Sequence, residues 1–443
     1  MDAFFAKYQV YIAVILSLFA YVFLGYFFER EQFYILLFAY SLTFLGIIML
    51  LQTNEYEKTF FKIGILYRIL FLFSTPTLSQ DFYRFIWDGH AVLSGINPYQ
   101  YKPEVIINTI VSFPNADYLY DKMGSLSASH FSNYPPINQL FFFISAFIGA
   151  KSILVSTIVL RLFIILADIG IYHYGRKILK HFNKNTETIF WYFLNPLVII
   201  ELTGNLHFEG VMLFFFVFGL YQLLAKKWII AAIIIAISIA VKLLPLLLLP
   251  LFLKYLGFKK SVLFYSLIIG LNVLFFLPFL NATLVNNYVE TISLWFTNFE
   301  FNASIYYLVR EVGFYLKGYN IIHTIGKITP IITILMVLFF AFVKKNNSVE
   351  KIAVHSMMVI TLYLFISTTV HPWYVINLVL LSVFANYKFP IVWSFVIILS
   401  YFAYSVFPFK ENGLLLIAEY VIVFSVFLFE VLYQPLRLKN NAK

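Results

Sequence analysis

Long apolar runs alternate with short polar interruptions from one end of the chain to the other. Apolar runs lie near 10–27, 33–51, 60–76, 152–174, 188–203, 207–225, 228–242, 243–256, 260–280, 327–343, 351–369, 372–386, 390–407 and 413–432. They predict about 13–14 transmembrane helices. They also predict an all-α polytopic membrane protein, because a helix satisfies its own backbone groups in lipid. The run 136–149 is short and reads as a re-entrant or half-buried helix. Two polar segments, 77–135 and 281–326, break the rhythm. Both are rich in Tyr, Phe and Asn, and loops of that length in a compact protein usually carry function. The expected organisation is one transmembrane domain over 1–443 with these two long loops. No small-residue cleavage site follows the first run, so it is expected to be a retained helix.

Composition agrees with this reading and narrows the chemistry. The 443 residues are 62% hydrophobic and 12% charged, about half the charged fraction of a soluble domain. With no cysteine, disulfides, thiolate metal sites and cysteine nucleophiles are excluded. The net charge of +10 is scattered over short loops, so it predicts topology rather than a nucleic-acid partner. Placing the N-terminus inside puts Lys7, Lys58, Lys62, Arg176, Lys177, Lys180, Lys184, Lys226, Lys227, Lys254, Lys259, Lys260, Lys344, Lys345, Lys351, Lys388, Arg437, Lys439 and Lys443 on one side. Both long loops then lie outside, which predicts a cytoplasmic membrane protein whose chemistry faces outward.

The stretch SQDFYRFIWDG opens the first loop's chemistry. Ser79 is a candidate N-cap and Gly95 a candidate stop. Between them Phe82, Phe85, Ile86, Gly89 and Leu93 share one face, while Asp81, Arg84 and Asp88 share another. That pattern predicts an amphipathic helix on the membrane surface. Asp81 falls in the first turn, where the helix dipole favours a carboxylate, the form a general base needs. An Asp81–Arg84 salt bridge that merely holds the helix is the plain alternative.

Four other unusual clusters map to the same side. ELTGNLHFEG brings Glu201, Asn205, His207 and Glu209 to one turn, and Lys242 lies in an apolar run beside Pro245, where a lysine usually has an anionic partner. NFEFNAS carries Glu300, and TTVHPWY carries His371 and Trp373. Acids, amides and aromatic rings suit a sugar, and a lysine or arginine suits a phosphate. No Asp-x-Asp metal motif, Walker loop or dinucleotide fingerprint occurs. The expected donor is therefore a sugar on a lipid phosphate, with neither metal nor cofactor.

SQDFYRFIWDG, GINPYQY, NYPPINQ, LNPLVIIELTGNLHFEG, VKLLPLLLLP and NFEFNASIYYLVRE together resemble the bacterial and archaeal GT-C membrane mannosyltransferases that use polyprenol-phosphate mannose. The resemblance implies a GT-C fold with a long extracytoplasmic first catalytic loop. It also implies that an acid of that loop is the base, a role that falls on Asp81. Some members carry two adjacent acids there. This chain has Gln80-Asp81, which leaves Asp88 or Glu209 to supply the second. The implied reaction is an inverting transfer of a hexose, mannose first, to a lipid or glycan acceptor. Lys242, Arg84 and His371 would meet the donor phosphate. Tyr83, Trp87, Asp88, Asn205, His207, Glu209, Glu300 and Trp373 would bind sugar or acceptor. The other class of function is a transporter or flippase of lipid-linked sugars, with Lys242, Arg161 and Asp168 along its path.

Overall fold

A computed structural model describes the backbone of residues 2–53 and 57–440, and the side chains of 8–53 and 57–432. Lys7, Arg437, Lys439 and Lys443 lie outside the described side chains. Among the described residues the fold is all-helical, with one isolated bridge between Phe301 and Thr369 in place of any strand. Among the described residues seven helices are long and apolar enough to cross a membrane, and the chain is an integral membrane protein. An eighth candidate is a broken pair, Pro196–Gly204 and Glu209–Leu224, bent by 113°. Pro136–Gly149, Trp228–Val241, Leu244–Leu256, Pro372–Ala385 and Phe389–Tyr404 are apolar but shorter.

The expected crossing near 188–203 is corrected. Thr186–Ile189, Phe190–Phe193, Pro196–Val198 and the π-helical Ile199–Gly204 follow in short pieces. Asn195-Pro196 starts a new turn, with the Asn195 side chain capping Leu197 N–H, because proline cannot continue the preceding helix. The break frees backbone carbonyls that lipid cannot satisfy. Arg161 answers them: it donates to Thr203 O at 2.7 Å and Gly204 O at 3.1 Å, and also to Leu72 O at 2.9 Å and Ser74 O at 3.0 Å. One buried guanidinium thus ties the broken segment to the chain leading into the first long loop.

That loop is corrected too. The helix is Asp81–Leu93, with Ser79 Oγ accepting from Asp81 N–H at 3.2 Å and Gly95 left-handed just beyond its end. It does not lie on a surface. Phe82 and every residue from Arg84 to Ala91 are buried. The loop's own helix Ala116–Ala128 and the apolar helix Pro136–Gly149 that follows the loop pack against it. Gly89 permits the close approach, since a Cβ there would clash with the Phe142 carbonyl.

Connections between helices gather at one end of the bundle. Asn97 donates to Phe279 O at 2.8 Å and Asn287 to Tyr99 O at 2.9 Å, which joins the two long loops. Phe301 N–H donates to Thr368 O at 3.1 Å and Val370 N–H to Phe301 O at 2.8 Å, which joins the second loop to the turn before Pro372–Ala385. At the other end the basic loops meet one another: Arg176 pairs with Glu57, and Lys184 with Glu350.

Candidate active site

Four chain breaks deliver charge to one place. Asp81 starts its helix, Glu209 starts the one after the π-helical break, and Lys242 is held extended between Trp228–Val241 and the Pro245 restart. Arg30 sits in the short connection between Asp2–Tyr26 and Phe33–Leu51. Lys242 pairs with Glu209, across 33 residues of sequence. Asn205 sets the two acids relative to each other. Its Oδ1 accepts Leu78 N–H and its Nδ2 donates to Ile200 O, both at 2.9 Å, so it clips the lead-in to Asp81 onto the segment before Glu209.

The Asp81 carboxylate forms no hydrogen bond or salt bridge among the described residues, and it is half-buried. Burial raises its pKa above the usual carboxylate value; Lys242 and then Arg30 pull it down, and Glu209 pushes it up. A carboxylate with free lone pairs and a raised pKa can accept a proton from a hydroxyl.

Rings and unpaired polar atoms wall the same place. Trp373 stacks on His207 with centroids 3.7 Å apart and on His371 at 4.3 Å. Two parallel rings that close to one indole cannot share a face, so the imidazoles cover both sides of it. Glu201 Oε2 lies 3.5 Å from His207 Nε2, and Oε1 accepts from Tyr401 Oη at 2.6 Å. Glu201 Oε2, Glu209 Oε2, His207 Nε2, His371 Nδ1 and Arg30 Nε are buried without a hydrogen-bond partner among the described residues. Buried polar atoms in folded proteins are satisfied by ordered water, an ion or a ligand, so these five are available to one. Burial, then Lys242 and Arg30, push the His371 pKa down to about 3. The imidazole is therefore neutral, and it meets a ligand as a hydrogen-bonding group rather than as a cation.

Asp81, Glu209, Lys242, His207 and His371 thus come together, with Asn205 and Trp373 beside them, while the rest of the expected set is engaged elsewhere. Arg84 donates to Asp88 at 2.7 Å and to the carbonyls of Ser127 and His130. Asp88 is fully buried and also accepts from Ser132 Oγ at 2.6 Å and Gln139 Nε2 at 3.1 Å. Both are buried and committed to this network rather than to the space around Asp81. The Asp81–Arg84 bridge does not form; the pair is Arg84 with Asp88. Trp87 is buried against Phe113 and Tyr120, and Tyr83 packs on Phe82 and Tyr118. Asn205 has both ends occupied, and Trp373 has no open face for a sugar. Glu300 bonds Arg310 at 2.6 Å, Tyr306 Oη at 2.9 Å and Asn320. Alternation along extended chain explains why Phe299 and Phe301 meet the His371 ring while Glu300 turns away. Arg30 is the residue that sequence reasoning missed, because one arginine in a short polar turn reads as an interfacial anchor. Among the described residues no group of three or more potential ligands could hold a metal.

The sequence profile of the family described as "Alpha-(1->6)-mannopyranosyltransferase, N-terminal domain" matches residues 9–256, more than half of the chain. The chain belongs to that family. The matched region carries Arg30, Asp81, Glu201, His207, Glu209 and Lys242, while Glu300, His371 and Trp373 lie beyond it. The chain is also 27% identical over 173 residues to alpha-(1->6)-mannopyranosyltransferase A of Mycobacterium tuberculosis (strain ATCC 25618 / H37Rv). That alignment covers 39% of this chain and 32% of the relative, so the chain matches about a third of that protein's length. No solved structure matches.

Proposed function

We propose that this protein transfers a mannosyl group from a polyprenyl-phosphate donor to a lipid or glycan acceptor at the extracytoplasmic face of a prokaryotic cytoplasmic membrane, with inversion. The observation that carries the reading is the unpaired Asp81 carboxylate beside the Lys242–Glu209 pair, in a family described by mannopyranosyl transfer. Asp81 takes the proton of an acceptor hydroxyl as that oxygen attacks the anomeric carbon. The bond from that carbon to the phosphate oxygen breaks on the opposite face, and the polyprenyl phosphate leaves with the bonding pair. Lys242 steadies the charge that grows on it. From a β-linked donor one displacement gives an α-mannoside, the anomer in the names of the family and of the relative. The free atoms of Glu201, His207, Glu209 and His371 suit sugar hydroxyls. The basic loops at the opposite end of the bundle support placing this end outside. Neither metal nor cofactor has a part in these steps.

Transport finds less support. Arg161 is spent on four carbonyls, and Asp168 bonds Arg68 at 2.8 Å and Tyr192 at 2.9 Å, all of them buried. The test gives purified protein polyprenyl-phosphate mannose, the glucose analogue and a panel of mannolipid acceptors. An α-mannoside formed together with free polyprenyl phosphate is the expected result. Donor crossing a vesicle bilayer unhydrolysed and untransferred would overturn the proposal in favour of transport.

A further inference from the structure

Arg30 has an environment unlike that of the other described arginines. Arg68, Arg84, Arg161, Arg176 and Arg310 each bond a carboxylate or carbonyl. Arg30 forms no salt bridge among the described residues, although Glu29 and Glu31 flank it and are exposed. Its guanidinium lies over the Tyr404 ring at 3.4 Å, and its buried Nε has no partner among the described residues. The ring fixes where the charge sits. Tyr404 packs on Tyr401, whose hydroxyl holds Glu201, and on Phe301, which packs on His371. Arg30 and Lys242 also both pull down the pKa values of Asp81 and His371, so the two cations border one space from different helix ends.

A charge count separates their roles. Lys242 is matched by Glu209. Arg30 forms no salt bridge among the described residues, Asp81 and Glu201 feeling its charge only across the shared space, and a guanidinium stacked on a ring keeps its fork of N–H donors free. Arg84, the residue type expected in this place, is occupied inside the loop. We propose that Arg30 is the principal phosphate-binding residue of the donor site, its guanidinium bonding the phosphate oxygens from its seat on Tyr404 while Lys242 stays tied to Glu209. The inference rests on the polyprenyl-phosphate reading above and names the group that would recognise that anion.

The experiment measures equilibrium binding of a radiolabelled short-chain polyprenyl monophosphate to the purified full chain in detergent, with the unphosphorylated polyprenol as the control ligand. R30Q is expected to weaken the phosphate ligand about 10- to 100-fold, the loss of a charge-assisted contact, and to leave the polyprenol unchanged. R30K should recover part of the loss, because it restores charge without the fork. Equal phosphate affinity in R30Q and wild type overturns the proposal, as does a parallel loss for the polyprenol. So does displacement of the probe by equimolar inorganic phosphate or anionic phospholipid, which would make Arg30 a general anion contact. If R30Q does not fold, Y404L removes the seat and keeps the charge. It should weaken the phosphate ligand several-fold, and unchanged affinity overturns the proposal. A wild type that binds this probe through Arg30 yet transfers no mannose would sink the proposed function and leave this inference standing.

Discussion

Replacing Asp88 separates architecture from chemistry within one helix. The carboxylate is fully buried, with Arg84 on one oxygen and Ser132 and Gln139 on the other. Asp88→Leu leaves the buried Arg84 guanidinium without its counter-charge, a loss of about 3–5 kcal/mol. Ser132 and Gln139 lose acceptors worth about 1 kcal/mol each, and the terms overlap because all four groups form one network. Asp88→Asn keeps shape and part of the hydrogen bonding, so its cost is smaller. The double variant Arg84→Met/Asp88→Leu removes both charges. It should recover part of the single variant's loss, but not the part owed to the Ser127 and His130 carbonyls that Arg84 holds. The assay is thermal unfolding of purified protein in detergent at a fixed scan rate, with transfer measured well below every transition. Asp88→Leu should melt well below wild type, and the double variant between them. Folded Asp88→Asn should keep transfer within about threefold of wild type, since no substrate contact is lost. An Asp88→Asn protein that melts like wild type but transfers 100-fold more slowly would refute the structural assignment and put Asp88 in the chemistry.

Lys242→Met leaves Glu209 buried without its cation, so it should lose stability by about 3 kcal/mol or more as well as transfer. Lys242→Met/Glu209→Leu should regain the stability in a melt but not the transfer; regained transfer would remove both residues from the site. Arg161→Met strips the four carbonyls at the helix break of their donor. Melting should fall by several degrees, and limited proteolysis should find new cleavage near 72–78 or 203–206; an unchanged cleavage pattern would show that the break holds itself. Because burial raises the Asp81 pKa and the base must be ionised, the acid limb of kcat/KM should lie above the ordinary carboxylate range of about 4. A limb at or below that value would count against Asp81. A raised folded pKa also means that ionised Asp81 destabilises the fold as pH rises through that pKa. Asp81→Asn should therefore melt no lower than wild type at neutral pH, and any gain should vanish in acid below the unfolded pKa.

The bilayer makes spanning helices visible in sequence, because a long apolar run has few other uses. It also hides breaks within them. Residues 188–203 are apolar apart from Thr188, Asn195, Glu201 and Thr203, so hydropathy shows one crossing where Asn195-Pro196 and the π-helical turn make several short pieces. The helix at 81–93 was legible in type and length. Its setting was not, because Ser132 and Gln139, which cover its polar side, lie 44 and 51 residues beyond Asp88. For the same reason Arg84 and Asp88 looked like site residues, since a charge on a helix face does not name its partner. Asp81, Glu209 and Lys242 were legible because each stands at a chain break beside apolar sequence, where a charge is costly without use. Arg30 gave no such signal; only the fold brings Tyr404 beneath it.

The most direct measurement is transfer by purified Asp81→Asn, with Asp88→Asn beside it, using polyprenyl-phosphate mannose and an acceptor that wild type accepts. Loss of the base should lower kcat by about 10²–10⁴-fold while the protein stays folded and binds donor like wild type. Near-normal transfer by Asp81→Asn would contradict the account of this site.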